Sequence, residues 1–260
     1  MFPFSRASQP DEPPLPLIVR LTLYALGAVE GRRIRRPIDP VAAWLVRNYP
    51  ALVQGDTAPA AYTTIRARCQ ILDHLLQEEV HRARTAGELL EIWTFGGGFD
   101  ARWYRMLPHL GETVVAYHEV ETEPIARYKA RLLDASPYAA LWSDVDRPSA
   151  EEAVWNVGRP HPTARPVFVL EGLAGRLEPD QLEALLKRLH GSAPRARVLM
   201  GLPGHARGQG GWPRARLDRT GWQLDVDIRL APRGRLMSQN GGELCAGMHG
   251  LRAVRLFCDE

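Results

Sequence analysis

The segment from Glu88 to Arg105, ELLEIWTFGGGFDARWYR, constrains the fold more than any other stretch of the chain. An apolar run containing Ile92, Trp93 and Phe95 stops at Gly96, Gly97 and Gly98, and a helical pattern begins at Asp100. Strand, glycine turn and helix N-terminus follow one another without a spacer. Glycine has no Cβ and tolerates positive φ, so a ligand can approach the backbone closely at such a turn. The free N–H groups of the first helical turn favour acceptor atoms. The segment reads as a nucleotide-type site.

From residue 88 onward the pattern alternates between strand and helix. Strands are expected over 88–95, 113–120, near 139–142, over 166–170 and 197–201, and finally over 222–230 and 251–257, the last two as a hairpin closing the sheet edge. Helices are expected over 100–110, 123–134, 149–156 and 179–190. Alternating βα units imply an α/β, doubly wound, Rossmann-like sheet that is mostly parallel. Upstream, residues 1–16 are Pro-rich and read as an irregular arm. Helical patterns over 17–30, 40–48 and 60–84 form a helical layer, the last with Ile65, Cys69, Leu72, Leu75, Leu76 and Val80 at helical spacing. This divides the chain into an arm (1–16), a helical cap and substrate region (17–86) and a Rossmann-like domain (87–260).

Composition narrows the classes. A chain of 260 residues with 45% hydrophobic and 24% charged residues suits one soluble α/β domain with a helical extension. No run approaches the length of apolar residues that spans a bilayer, and Pro10, Asp11, Glu12, Pro13 and Pro14 interrupt any signal-peptide core. The three cysteines, Cys69, Cys245 and Cys258, form no CxxC pair, so neither a zinc site nor a disulfide framework is expected and a reducing cytoplasm is the natural compartment. Net charge is +3, with 33 Lys+Arg against 30 Asp+Glu. The cluster Arg32, Arg33, Arg35 and Arg36 has no interleaved aromatics, so it reads as a solvated loop or a contact for an anionic substrate rather than a nucleic-acid surface.

In a doubly wound sheet, ligands sit over the C-terminal strand ends. Four such ends carry polar groups here: Gly96 to Gly98, then His118 to Glu121 (HEVE), Ser143 to Asp146 (SDVD), and Glu171-Gly172. Two ligands compete for them. Gly96 to Ala101 satisfies the dinucleotide pattern G-x-G-x-x-A, with an acid about 20 residues further on. Asp100, however, stands where a pyrophosphate would dock, and its charge is expected to repel phosphate. S-adenosylmethionine carries a ribose, an adenine, a sulfonium and an amino-acid moiety but no phosphate, which favours it over NAD(P).

These residues resemble a family. Phe95 to Leu107 is similar to the glycine motif of the leucine carboxyl methyltransferase-like enzymes, class I S-adenosylmethionine-dependent O-methyltransferases, many of which act on polyketide or other natural products. HEVE followed by Thr122-Glu123-Pro124 and Lys129 resembles the family's second motif; Asp144-Val145 and Glu171-Gly172 resemble the next two. The resemblance spans roughly residues 60–200. It implies a seven-stranded methyltransferase sheet with an N-terminal helical cap. It implies that Gly96, Gly97 and Gly98 line the methionine part of the donor, that Glu121 accepts from the ribose hydroxyls, that Asp144 and the Val145 backbone read the adenine edge, and that Glu171 faces the donor's amino end. Arg68 is implied to neutralise the donor's carboxylate, with Arg66 its close competitor.

The acceptor expected from this is a carboxylate or acidic hydroxyl on a small-molecule or peptide substrate. A carboxylate is already ionised at neutral pH and needs no general base; a phenol or enol would need one, with His118, His205 or His249 as candidates. No catalytic residue is assigned and no metal is expected. Trp212 and Trp222 are candidate apolar walls, and the Gly-rich loop 203–216 a candidate lid. Neither a membrane nor a nucleic-acid partner is expected, and a homodimer is compatible with this reading. The alternatives are an NAD(P)-dependent oxidoreductase and a methyltransferase-like binding protein without activity.

Overall fold

The computed structural model describes residues 22, 23, 25, 27, 39–53, 59–143, 145, 161–171, 173, 177–193, 195–203, 214–230, 236–237 and 251–257. Its strands are β1 (Leu89–Phe95), β2 (Val114–Val120), β3 (Ala164–Leu170), β4 (Arg197–Pro203), β5 (Gln223–Leu230), the two-residue β6 (Leu236–Met237) and β7 (Leu251–Phe257). They form one mixed sheet in the order β2-β1-β3-β4-β7-β5-β6. β1 lies parallel to both β2 and β3, and β3 parallel to β4. β7 is antiparallel to β4 and β5, and β6 to β5. The last two long strands therefore pair as expected, but they do not close the edge as a hairpin: β7 inserts between β4 and β5. The helices are α1 (Pro40–Asn48), α2 (Pro59–Ala86), α3 (Arg102–Leu110), α4 (Glu123–Asp134), α5 (Ala139–Trp142), α6 (Pro179–Ser192) and α7 (Arg214–Asp218).

Strand alternation divides the core between the two faces of the sheet. Leu90 and Ile92 of β1, Val167 and Val169 of β3 and Leu199 of β4 pack with Leu45 of α1, Leu72 and Leu76 of α2, Met106 of α3 and Leu133 of α4. The intervening residues Trp93, Phe95, Phe168, Leu170, Val198 and Met200 pack with Leu182, Leu186 and Leu189 of α6. The continuous apolar run 166–170 of β3 and the near-complete burial of β1 follow from cover on both faces, as parallel central strands require.

Local signals explain most boundaries. Asp39 caps α1 through hydrogen bonds from the N–H groups of Val41 (2.9 Å) and Ala42 (3.0 Å), and Pro40 occupies the first helical position. α6 opens with a capping box between Glu178 and Gln181. Three expectations change. Residues 139–142 form a helical turn rather than a strand: the Trp142 N–H bonds Tyr138 O (2.9 Å), and its ring is buried against Trp103. Of the expected loop 203–216, residues 214–216 begin α7, while 204–213 lie outside the described residues, as do the helix expected over 149–156 and most of that over 17–30. Trp222 is core rather than substrate wall, with its indole N–H donated to Leu186 O (2.8 Å) and its ring edge-on to His190; Trp212 is outside the described residues. Among the described residues no helix is long and apolar enough to cross a membrane.

The N-terminal layer is tightly seated. A Cβ added at Gly27 would lie 2.4 Å from the Ala42 carbonyl carbon and oxygen, so only glycine lets this segment approach α1. Gly27→Ala is expected to lower the unfolding free energy by about 1–3 kcal/mol, the usual cost of overpacking. Urea denaturation checks this, and an unchanged midpoint and slope would contradict the contact.

Candidate functional site

β1 ends directly at the glycine turn. Gly96 and Gly98 have φ of +67° and +59°, a region that side-chain-bearing residues adopt only with strain, so the turn needs glycine at these two positions. Its N–H groups are largely taken by the chain itself. Gly96 donates to Val120 O (2.9 Å), Gly98 to Glu121 Oε2 (2.7 Å), Asp100 to Gly97 O (3.1 Å) and Ala101 to Asp39 Oδ2 (2.8 Å). Glu121, the residue just past β2, is thus brought to the turn, with its second oxygen accepting from Thr122 N–H (2.9 Å).

Behind the turn lies a buried network of guanidiniums and carboxylates. α3 places Arg102 and Arg105 one turn apart, and so on one side of the helix. Arg102 donates from Nε to Asp73 Oδ1 (2.6 Å), pairs with Asp100 Oδ2 (3.1 Å), and makes a very short contact with Glu171. Arg105 donates to Asp73 Oδ2 (2.6 Å) and Asp39 Oδ2 (3.0 Å) and contacts Asp100 at similarly short range. Glu171, the residue following β3, also faces Arg68 Nε (3.5 Å) and accepts from the Cys69 thiol (2.7 Å). Arg68 lies flat against β4: a Cβ at Gly201 would fall 2.6 Å from its Cδ. Cys69, Asp100 and Glu171 place their ligand atoms within 4.8 Å of one another, but the guanidiniums already meet this charge.

The network alters the ionisation of its members. Burial pushes Asp100 up, but the charges of Arg102 and Arg105 outweigh it and hold the carboxyl well below its usual range. Asp39 is raised by burial, against the opposing pull of Arg105. The Cys69 thiol is pushed far up by burial and by Glu171, so it stays a neutral donor. Beside the network, Lys129 donates to Asp100 O (2.8 Å) and Glu119 Oε2 (2.7 Å), and burial raises Glu119 to about 7 even with Lys129 next to it.

The candidate residues are placed as follows. Gly96, Gly97, Gly98 and Glu121 form the turn, and Arg68 and Glu171 meet at its back. Arg66 points elsewhere, donating to Ala25 O (2.9 Å), which separates it from its competitor Arg68. Val145 is buried with its N–H donated to Trp142 O (3.2 Å), and Asp144 lies outside the described residues. His118 is on the opposite sheet face from the network, bonded to Glu91 (2.8 Å) and stacked on Trp93 at 3.8 Å, so it is not placed to act as a base. His205 and His249 lie outside the described residues. One expectation is corrected. Asp100 does not confront a ligand at a helix start: it is saturated by Arg102 and Arg105, and α3 begins two residues later. Its carboxylate is therefore not what would turn phosphate away.

Asp39, Asp73, Arg102 and Arg105 were not anticipated as site residues. Asp39 before Pro40 carried a visible helix-start signal, and Arg102 and Arg105 stand in the quoted DARWYR segment. Asp73, an acid between Leu72 and Leu75 on an apolar helix face, was the remaining clue. A carboxyl that protonates more readily folded than unfolded supports the fold below its unfolded pKa, near 4.5 for Glu119, and that support is lost as pH rises towards about 7. Glu119→Gln is therefore expected to gain stability relative to the wild type as pH rises through this window. Chemical denaturation at a series of pH values checks it; a difference that stays constant with pH would contradict the assignment.

No protein-family profile matches the sequence, and no curated protein matches it. The chain is similar in fold to solved structures. Mitomycin 7-O-methyltransferase MmcR shares 12% identity at a TM-score of 0.48, the match covering 84% of this chain and 60% of MmcR. Magnesium protoporphyrin IX methyltransferase ChlM from Synechocystis PCC 6803, solved with bound SAM, shares 12% identity at a TM-score of 0.48, covering 79% of this chain and 86% of ChlM. The S-adenosylmethionine-dependent methyltransferase SibL shares 14% identity at a TM-score of 0.48, covering 83% of this chain and 65% of SibL. The chain thus spans less than two-thirds of MmcR and of SibL.

Proposed function

We propose that the chain is an S-adenosylmethionine-dependent methyltransferase that transfers the methyl group to a carboxylate or acidic hydroxyl of a small-molecule or peptide natural product. One observation carries the choice of ligand: the N–H groups of Gly98 and Ala101, which a pyrophosphate would need, are already given to the carboxylates of Glu121 and Asp39. A dinucleotide would have to displace two carboxylates and would meet their charge. A donor that offers hydroxyls, an ammonium and a sulfonium finds acceptors there instead.

In this reading Glu121 accepts from the ribose hydroxyls. Arg68, whose Nε stands 3.5 Å from Glu171 Oε1, takes the donor's carboxylate. Glu171, held by Arg68 and Arg102, supplies negative charge near the amino group. Asp144 and Val145 are proposed for the adenine edge. When bound, the donor supplies a methyl group on a sulfonium, which leaves by in-line displacement. The chain's own contribution is orientation, by a rigid turn and by carboxylates with fixed positions. A carboxylate acceptor asks for no proton transfer.

Calorimetric titration with S-adenosylmethionine, S-adenosylhomocysteine and NAD(P)H tests this reading. Binding of the first two and not the third is expected; binding of the dinucleotide alone would move the chain to an oxidoreductase, and binding of none would leave a binding protein without activity. Glu121→Ala is expected to weaken S-adenosylhomocysteine by about 1–3 kcal/mol, the cost of leaving hydrogen-bonding groups unpaired. An unchanged affinity would sink the ribose assignment.

A further inference from the structure

We infer that Asp39 is a positioning residue for donor binding: it latches the start of α1 to the exit of the glycine turn and so holds the turn in its binding conformation. The inference rests on the methyl-donor reading above. Asp39 is fully buried, and its two oxygens do different work. Oδ1 caps α1, accepting from Val41 and Ala42. Oδ2 crosses to the site, accepting from Ala101 N–H (2.8 Å) and Arg105 Nη1 (3.0 Å).

The second role has a structural need behind it. Ala101 is the N-cap position of α3, and its own N–H, the group that the reciprocal arm of a capping box would satisfy, finds its acceptor outside the helix. Asp39 provides an acceptor at that point from 62 residues upstream. Ala101 also follows Asp100, whose N–H closes back on Gly97 O, so fixing Ala101 fixes the end of the turn. The start of α1 is seated from the other side as well, since Tyr138 Oη donates to Pro40 O (3.3 Å) and the Tyr138 ring packs edge-on against Tyr104 of α3. The exit of the turn that binds the donor is therefore tied to the start of α1 through the Asp39 side chain.

The split between the oxygens allows the roles to be separated. Asn is as good a helix cap as Asp, so Asp39→Asn keeps an acceptor for Val41 and Ala42. It turns an NH2 group towards Ala101 N–H and Arg105, donor against donor. Asp39→Ser also caps but is too short to reach Ala101, and serves if the Asn variant does not fold. The control is Asp73→Asn, which disturbs Arg102 and Arg105 without touching a backbone group of the turn. The measurements are the dissociation constant for S-adenosylhomocysteine and amide hydrogen exchange. In Asp39→Asn the constant is expected to rise about tenfold, the loss of one charge-assisted hydrogen bond's worth of ordering, with faster exchange at Ala101 and protection retained in α1. Asp73→Asn is expected to shift the constant less. Faster exchange at Ala101 with unchanged affinity, or equal losses in the Asp39 and Asp73 variants, would overturn the inference. A wild type that binds no S-adenosylhomocysteine would overturn the donor reading itself, and this inference with it.

Discussion

Two guanidinium groups, those of Arg102 and Arg105, hold together four carboxylates from four separate parts of the chain. Asp39 comes from the residue before α1, Asp73 from α2, Asp100 from the glycine turn and Glu171 from the end of β3. With Arg68 added, three cations face four anions away from water. Taking such charges out of water is costly, and the geometry must be close to complete to offset it. Removing either Arg102 or Arg105 leaves buried carboxylates without their counter-charge. The network therefore fixes where the helical layer, the turn and the strand ends stand relative to one another, a specificity that apolar contacts alone do not give.

That arrangement decides which ligand the turn suits. In a dinucleotide site the helix start offers open N–H groups to phosphate. Here two of those N–H groups are closed by Glu121 and Asp39, and the nearby guanidiniums are turned inwards to carboxylates. The result is a turn rich in acceptors. It suits the ligand proposed above, which brings hydroxyls and positive charge, and beside it Arg68 Nε stands 3.5 Å from Glu171 Oε1 without a hydrogen bond.

Much of the frame was legible in the sequence because its signals were local. The three-glycine stop after an apolar run located β1 and the turn, and the helical patterns over 40–48 and 123–134 and the strand over 166–170 were likewise local. The turn at Ala139–Trp142 was misread as a strand, because four apolar residues carry no periodicity that separates the two. The insertion of β7 between β4 and β5 was not legible either, since strand order is set by long-range pairing rather than by local pattern. In the candidate site, the glycines stood out by their stop after an apolar run, and Glu121 by its place at a strand end and by the family resemblance. Asp39 and Asp73 were not, because their roles depend on partners roughly thirty to seventy positions away, and no local pattern joins an acid in one helix to an arginine in another. Asp100 was noticed but given the wrong role, since its neutralisation by Arg102 and Arg105 appears only once α3 is built.

The most direct test of the account is a crystal structure of the protein with S-adenosylhomocysteine. The account predicts the homocysteine portion over Gly96 to Gly98, the ribose hydroxyls within hydrogen-bond reach of Glu121, and the ligand's carboxylate on Arg68, with the Arg102 and Arg105 network unchanged behind it. A ligand lying away from the glycine turn, or one whose ribose makes no contact with Glu121, would contradict it.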